Sequence, residues 1–153
     1  MKHLFLILLT FMSVLLSNAS SCNKEDNSNK IENNPMATGK IKITVNSQTF
    51  TATLLDNNSA KAFKEMLPLT INMTELNGNE KYYDLPNILP TNSSNPATIK
   101  NGDLMLYGSK TLVLFYKSFS TSYSYTKLGT IDDKTGLASA LGSGDITVSL
   151  ELK

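Results

Sequence analysis

Residues 40–56 read KIKITVNSQTFTATLLD, and the period of that stretch decides the fold class. Ile41, Ile43 and Val45 alternate with Lys40, Lys42 and Thr44, and Phe50, Ala52 and Leu54 alternate with Thr49, Thr51 and Thr53. Successive side chains of an extended chain point to opposite faces, so this alternation marks strands with one buried side. The stretch predicts two half-buried strands joined by a turn at Asn46-Ser47.

The same period recurs downstream. Residues 69–86, LTINMTELNGNEKYYDLP, predict a hairpin around Asn77-Gly78, a dipeptide that accepts the left-handed backbone of a tight turn. Residues 101–119, NGDLMLYGSKTLVLFYKSF, predict strands near Leu104–Tyr107 and Leu112–Tyr116, with turns at Gly102 and at Gly108-Ser109. YSYTKLGTI (123–131) predicts another extended piece. In DITVSLELK (145–153), Ile146, Val148, Leu150 and Leu152 are expected inside and Thr147, Ser149 and Glu151 outside.

Two segments break the pattern. In NNSAKAFKEMLP (57–68), Ala60, Phe63 and Leu67 share a helical face that Met66 joins, with Asn58 or Ser59 as cap and Pro68 as terminator. DKTGLASALGSG (133–144) predicts a second short helix, and PNILPTNSSNPAT (86–98) a loop. Seven or eight strands, two short helices and no βαβ rhythm imply a closed antiparallel barrel or a sandwich, between which the pattern does not choose.

The start of the chain is different. MKHLFLILLTFMSVLLSNASSC opens with Lys2, runs apolar from Leu4 to Leu16, and exits through small residues to Cys22, the only cysteine. A positive start and a short apolar run describe a secretory signal over residues 1–21, too short for an ordinary membrane span. The lone cysteine after Ala19-Ser20-Ser21 resembles that of a bacterial lipoprotein precursor. The resemblance implies cleavage before Cys22 and acylation of its thiol, which makes Cys22 a tether and not a nucleophile. The acids Glu25 and Asp26 just after it resemble the export signal of Bacteroidetes surface lipoproteins. Acyl chains contribute about 0.8 kcal/mol per buried methylene, so several of them make a durable anchor. Residues 22–39 then read as a polar, Asn-rich tether with its ends about 20–25 Å apart, and residues 40–153 as one domain. The expected location is a bacterial cell envelope, on the outer membrane.

Composition removes whole classes of chemistry. The chain has no Arg and no Trp, and its one histidine, His3, lies in the signal segment. A Ser-His-Asp or Cys-His site and a His- or Cys-ligated metal are therefore excluded from the mature chain. Thirteen Lys balance 13 Asp plus Glu after residue 21 with no basic stripe, which argues against nucleic acid. The pair Asp132-Asp133 lacks the alternating oxygens of a calcium loop and reads as a solvated turn. No phosphate-cradling glycine spacing occurs. The expectation is no cofactor, no metal and no catalytic residue.

Three segments, LLDNNSAKAFKEMLP (54–68), ELNGNEKYYDLP (75–86) and GDLMLYGSKTLVLFYKSFSTSYSYTKLGTI (102–131), resemble in content and order the bacterial cyclophilin-like domains. The likeness runs from about Lys40 to Leu152. It implies a mainly β, closed eight-stranded antiparallel barrel with two short helices. It does not imply prolyl isomerisation. Cyclophilins polarise the prolyl amide with an arginine among phenylalanine, tryptophan and histidine, and none of that set carries over. Lysine cannot reproduce the planar fork of a guanidinium.

Aromatic residues remain. All six tyrosines, Tyr82, Tyr83, Tyr107, Tyr116, Tyr123 and Tyr125, lie within 44 residues, with Phe115 and Phe119 among them. Alternation assigns some of Tyr82/Tyr83 and Phe115/Tyr116 to packing, while KSFSTSYSYTK can line up Phe119, Tyr123 and Tyr125. Glu80, beside Lys81, recurs in the family's pattern, either in a salt bridge or at a ligand. The candidate ligand residues are Glu80, Tyr82, Tyr83, Tyr107, Tyr116, Phe119, Tyr123 and Tyr125. The expected function is a non-catalytic module that binds a peptide or small ligand. Two other readings accompany it: a degenerate isomerase acting by desolvation alone, and an accessory domain partnering a flavodoxin-like protein, since relatives occur fused to such domains.

Overall fold

The computed structural model describes residues 37–153. The signal segment, Cys22 and nearly all of the expected tether lie outside the described residues. β1 (Ala37–Val45) and β2 (Gln48–Leu55) form the predicted hairpin, with Asn46 at φ 52° in the turn. Asparagine tolerates that left-handed conformation better than most residues do. β1 takes in residues 37–39 ahead of Lys40.

The helix α1 (Asn58–Glu65) follows, and its cap differs from expectation. Asn57, in extended conformation, is the cap: its side-chain oxygen accepts from the Ala60 amide at 2.8 Å. Its Nδ2 meanwhile donates to the Lys127 carbonyl at 2.9 Å, so one side chain both starts the helix and fastens it to the wall.

The remaining strands are β3 (Leu69–Leu76), β4 (Glu80–Asp84), β5 (Thr98–Ile99), β6 (Asp103–Tyr107), β7 (Thr111–Phe115), β8 (Phe119–Ser120), β9 (Thr126–Ile131) and β10 (Ile146–Leu152), with α2 (Leu137–Leu141) before the last. Eight of the ten close an antiparallel barrel in the order β1-β10-β3-β4-β7-β6-β9-β2. The other two, β5 and β8, pair into a separate ribbon. The stretch expected as a loop ends in β5, and Ser94 forms a bridge with Tyr125.

Alternation fills the interior. Ile41, Ile43, Val45, Phe50, Ala52 and Leu54 all join one buried cluster, to which α1 adds Ala60 and Phe63 and α2 adds Leu137 and Leu141. A barrel of eight strands is just wide enough for such side chains to fill it. Leu152, expected inside, is 54% exposed at the end of β10, beyond Leu150, the last buried residue.

Closure between β2 and β9 brings backbones unusually close at Gly129, which is paired with Leu54. A Cβ there would meet the Thr53 carbonyl oxygen at 2.4 Å, so only glycine fits.

β7, like β6 beside it, is an exception to one-sided burial. Leu112 and Leu114 face the barrel interior, while Val113 and Phe115 join a second cluster with Ile99, Met105 and Tyr125. The β5–β8 ribbon supplies Ile99 and Phe119 to this cluster, which lies on the outer side of the wall. A strand buried on both faces explains the continuous apolar run of residues 112–115.

Candidate functional site

The alternation of β4 divides its residues between two environments. Lys81 and Tyr83 face inward: Tyr83 packs against the barrel cluster, and Lys81 has no exposed surface. Glu80, Tyr82 and Asp84 face outward and line a cavity of about 470 Å³. Opposite them on β7 stand Thr111 and Val113, paired with Asp84 and Tyr82. Tyr107, at the end of β6, and Phe119, Tyr123 and Tyr125, in and after β8, form the other wall, while Leu76, Asn77 and Asn79 of the β3–β4 turn complete the lining.

The aromatic rings of the wall support one another. Tyr107 meets Tyr123 edge-on with ring centres 6.2 Å apart, and Tyr125 at 5.6 Å. Phe115, beneath, meets Tyr125 edge-on at 5.5 Å and Phe119 at 5.7 Å. Such edge-to-face and tilted pairs hold rings in place without stacking them flat. Tyr123 is 62% exposed at the rim, whereas Tyr125 is buried.

Glu80 is the cavity's buried charge, only 9% exposed, and among the described residues no hydrogen bond or ion pair satisfies its carboxylate. Burial, seconded by the charge of Glu75, raises its carboxyl above the usual range. Burial and then the charge of Glu80 likewise raise the Tyr125 phenol. Asp84, by contrast, accepts a hydrogen bond from the Thr111 hydroxyl at 2.6 Å. The Oδ1 of Asn79 is also buried without a donor.

Six of the eight candidate residues thus converge on the cavity: Glu80, Tyr82, Tyr107, Phe119, Tyr123 and Tyr125. The structure does not bring Tyr83 or Tyr116 to it. Each is next in sequence to an outward residue and so turns into the barrel. Tyr116 donates its hydroxyl to Glu75 at 2.9 Å, and burial together with that carboxylate pushes its phenol up to about 12. Glu75 also takes the Lys81 ammonium, which in turn donates to the carbonyls of Gly142 at 2.9 Å and Gly144 at 2.7 Å. Sequence reasoning missed Asn79 and Asp84. The parity of β4 from Glu80 and Tyr82 reaches Asp84, but no local signal marks Asn79.

Two further features lie elsewhere. Asp132 takes Lys40 at 2.7 Å and Thr53 at 2.6 Å, so it ties β1 and β2 to the end of β9 instead of being solvated alone. Asp103, buried in β6, accepts from the Lys100 amide and pairs with Lys127 at 2.8 Å.

The family model described as the cyclophilin-like family matches residues 43–151. No curated protein matches the chain. Among solved structures, the solution structure of a hypothetical protein from Archaeoglobus fulgidus is similar, with 16% identity and a TM-score of 0.60 over 77% of this chain and 97% of that one. At that identity the likeness is one of fold.

Proposed function

This chain belongs to the cyclophilin-like family, and we propose, from its signal-like start and lone Cys22 together with its barrel, that it is a cell-envelope lipoprotein anchored through Cys22 whose barrel grips a peptide or small ligand without converting it. The observation that carries the reading is the cavity on the outer face of the wall, with four tyrosines and a buried carboxylate around one space. Its volume of about 470 Å³ falls in the range of ordinary ligand sites, which combine aromatic walls with few polar groups. Nothing in the lining supplies the fixed cationic fork by which a cyclophilin polarises an amide. Tyrosines offer flat apolar faces and hydroxyls, a combination suited to holding a chain segment by shape and hydrogen bonds.

The full-length chain has no Trp, so its fluorescence reports the tyrosines directly. Titration with capped prolyl tetrapeptides should change that emission saturably, and Tyr123→Ala should remove most of the change. The same peptides should isomerise at the uncatalysed rate. Acceleration of that rate overturns the non-catalytic reading. Mass spectrometry of the membrane fraction should find the mature chain beginning at an acylated Cys22, and a free thiol there overturns the anchor.

A further inference from the structure

The cavity has a marked charge preference. Its charged lining residues are Glu80 and Asp84, and no lysine is among them. Asp84 is engaged by Thr111, but Glu80, a residue only 9% exposed, has no hydrogen bond or ion pair to its carboxylate among the described residues. An ionised carboxylate largely removed from water and without a protein donor is costly to the fold unless something positive arrives to pair with it. Asn79 Oδ1, also in the lining, is a buried acceptor lacking a donor. The unmet demand is thus for donors and positive charge, with no matching demand for an acceptor.

The rest of the wall meets the same demand. Aromatic faces attract cations through their ring quadrupole, most strongly where water is excluded. Tyr107, Tyr123 and Tyr125 form a connected set of rings with centres 5.6–6.2 Å apart, and Tyr82 stands on the β4 side. Glu80 lies close enough to Tyr125 for its charge to act on that phenol. The nearby ammonium of Lys117 sits instead 5.9 Å from the Tyr116 ring, outside the lining.

We propose that the cavity selects an organic ammonium group, with Glu80 as its counter-charge and Tyr107, Tyr123 and Tyr125 as its aromatic enclosure. This rests on reading the cavity as a ligand site. The ammonium can belong to a lysine side chain of a peptide or to a small quaternary amine. Both share a compact positive head with an apolar flank, and an anionic ligand meets two carboxylates.

The test uses pairs of equal shape and different charge on the full-length chain. Choline is compared with 3,3-dimethylbutanol, and capped lysine with capped 2-aminoheptanoic acid, by tyrosine fluorescence and calorimetry. In at least one pair the cation should bind about tenfold more tightly than its neutral isostere. The pair that shows the difference identifies the source as quaternary amine or lysine. Glu80→Gln should abolish the difference while retaining the weaker neutral binding. Tyr123→Ala, at an exposed rim position, should weaken the cation without unfolding the domain. Equal affinity within both pairs, or a cation advantage that survives Glu80→Gln, overturns the charge assignment and leaves the cavity a ligand site. Absence of binding by all four probes, together with no response to the prolyl peptides, overturns both readings.

Discussion

Lys81 and Glu75 form an ion pair at the β3–β4 hairpin in which the ammonium has no exposure and the carboxylate keeps 18% of its own. The pair sets a fully buried ammonium beside the apolar barrel cluster. Because Lys81 also donates to Gly142 and Gly144, it fastens the segment between α2 and β10 to that hairpin. Three acceptors for three ammonium protons leave the buried charge fully satisfied.

Lys81→Met should therefore cost about 2–4 kcal/mol, the range for breaking a buried pair in which one partner keeps some water. Methionine fills the volume but leaves a carboxylate and two carbonyls without their donor. Urea denaturation of the variant checks this, and a loss under about 0.5 kcal/mol, the scale of a neutral surface change, contradicts it.

Acid should weaken the same cluster. Burial by itself raises the Glu75 carboxyl, yet hydrogen bonds from Lys81, Tyr116 and the Gly78 amide together outweigh it and hold the group below its ordinary 4.5. A carboxyl lowered in the folded state stabilises the fold above its unfolded value and loses that contribution as pH falls through the folded value. The stability gap between the native chain and Glu75→Gln should be full at pH 7 and shrink as pH drops below about 4.5. Melting temperatures of both proteins from pH 7 to pH 3 measure it, and a constant gap rejects the assignment.

Glu80 should behave in the opposite sense. Its carboxyl is raised in the folded state, so its contribution to stability is present below the unfolded value and disappears as pH rises through the folded one. Glu80→Gln, which mimics the protonated form, should raise the melting temperature at pH 7–8 and leave it nearly unchanged near pH 3. A destabilised variant at neutral pH means that Glu80 has a favourable partner in the fold. The expected gain follows the general conflict between a site kept ready for a ligand and the stability of the domain holding it.

Gly129→Ala should destabilise by about 1–3 kcal/mol, the usual cost of forcing an extra group into packed structure. The added carbon would meet the Thr53 carbonyl and the Leu54 backbone, neither of which can rotate away. Substitution at Gly108, where an added carbon meets nothing within 4 Å, separates crowding from the strain of a left-handed residue. Gly129 itself has no positive φ, so a loss there under about 0.5 kcal/mol would show that the β2–β9 seam accommodates the added carbon.

The strands were legible because an alternating sequence carries its own geometry. Ile41 to Leu54 announces which side of each strand is buried, and the parity of neighbours separates Tyr82 from Tyr83 and Phe115 from Tyr116. The short ribbon was not legible. Two-residue strands such as β5 and β8 have no period to show, and their pairing joins Thr98 to Ser120 across the whole intervening β6–β7 hairpin. The Asn57 cap escaped notice because adjacent asparagine and serine residues compete for that role, and only backbone direction selects one.

By itself, the sequence determined that the domain is built of strands buried on one side, that imidazole, guanidinium and thiol chemistry is missing from it, and that its aromatic residues crowd into one stretch. Periodicity and composition are local properties, and no folding is needed to read them. The tertiary structure alone decided that β4 lies beside β7 and β7 beside β6, so that Glu80, Tyr107 and Tyr123 surround one space while Tyr116 turns away to Glu75, 41 residues distant. Sheet order and closure depend on contacts between residues far apart in the chain, and a cavity exists only once those contacts have formed.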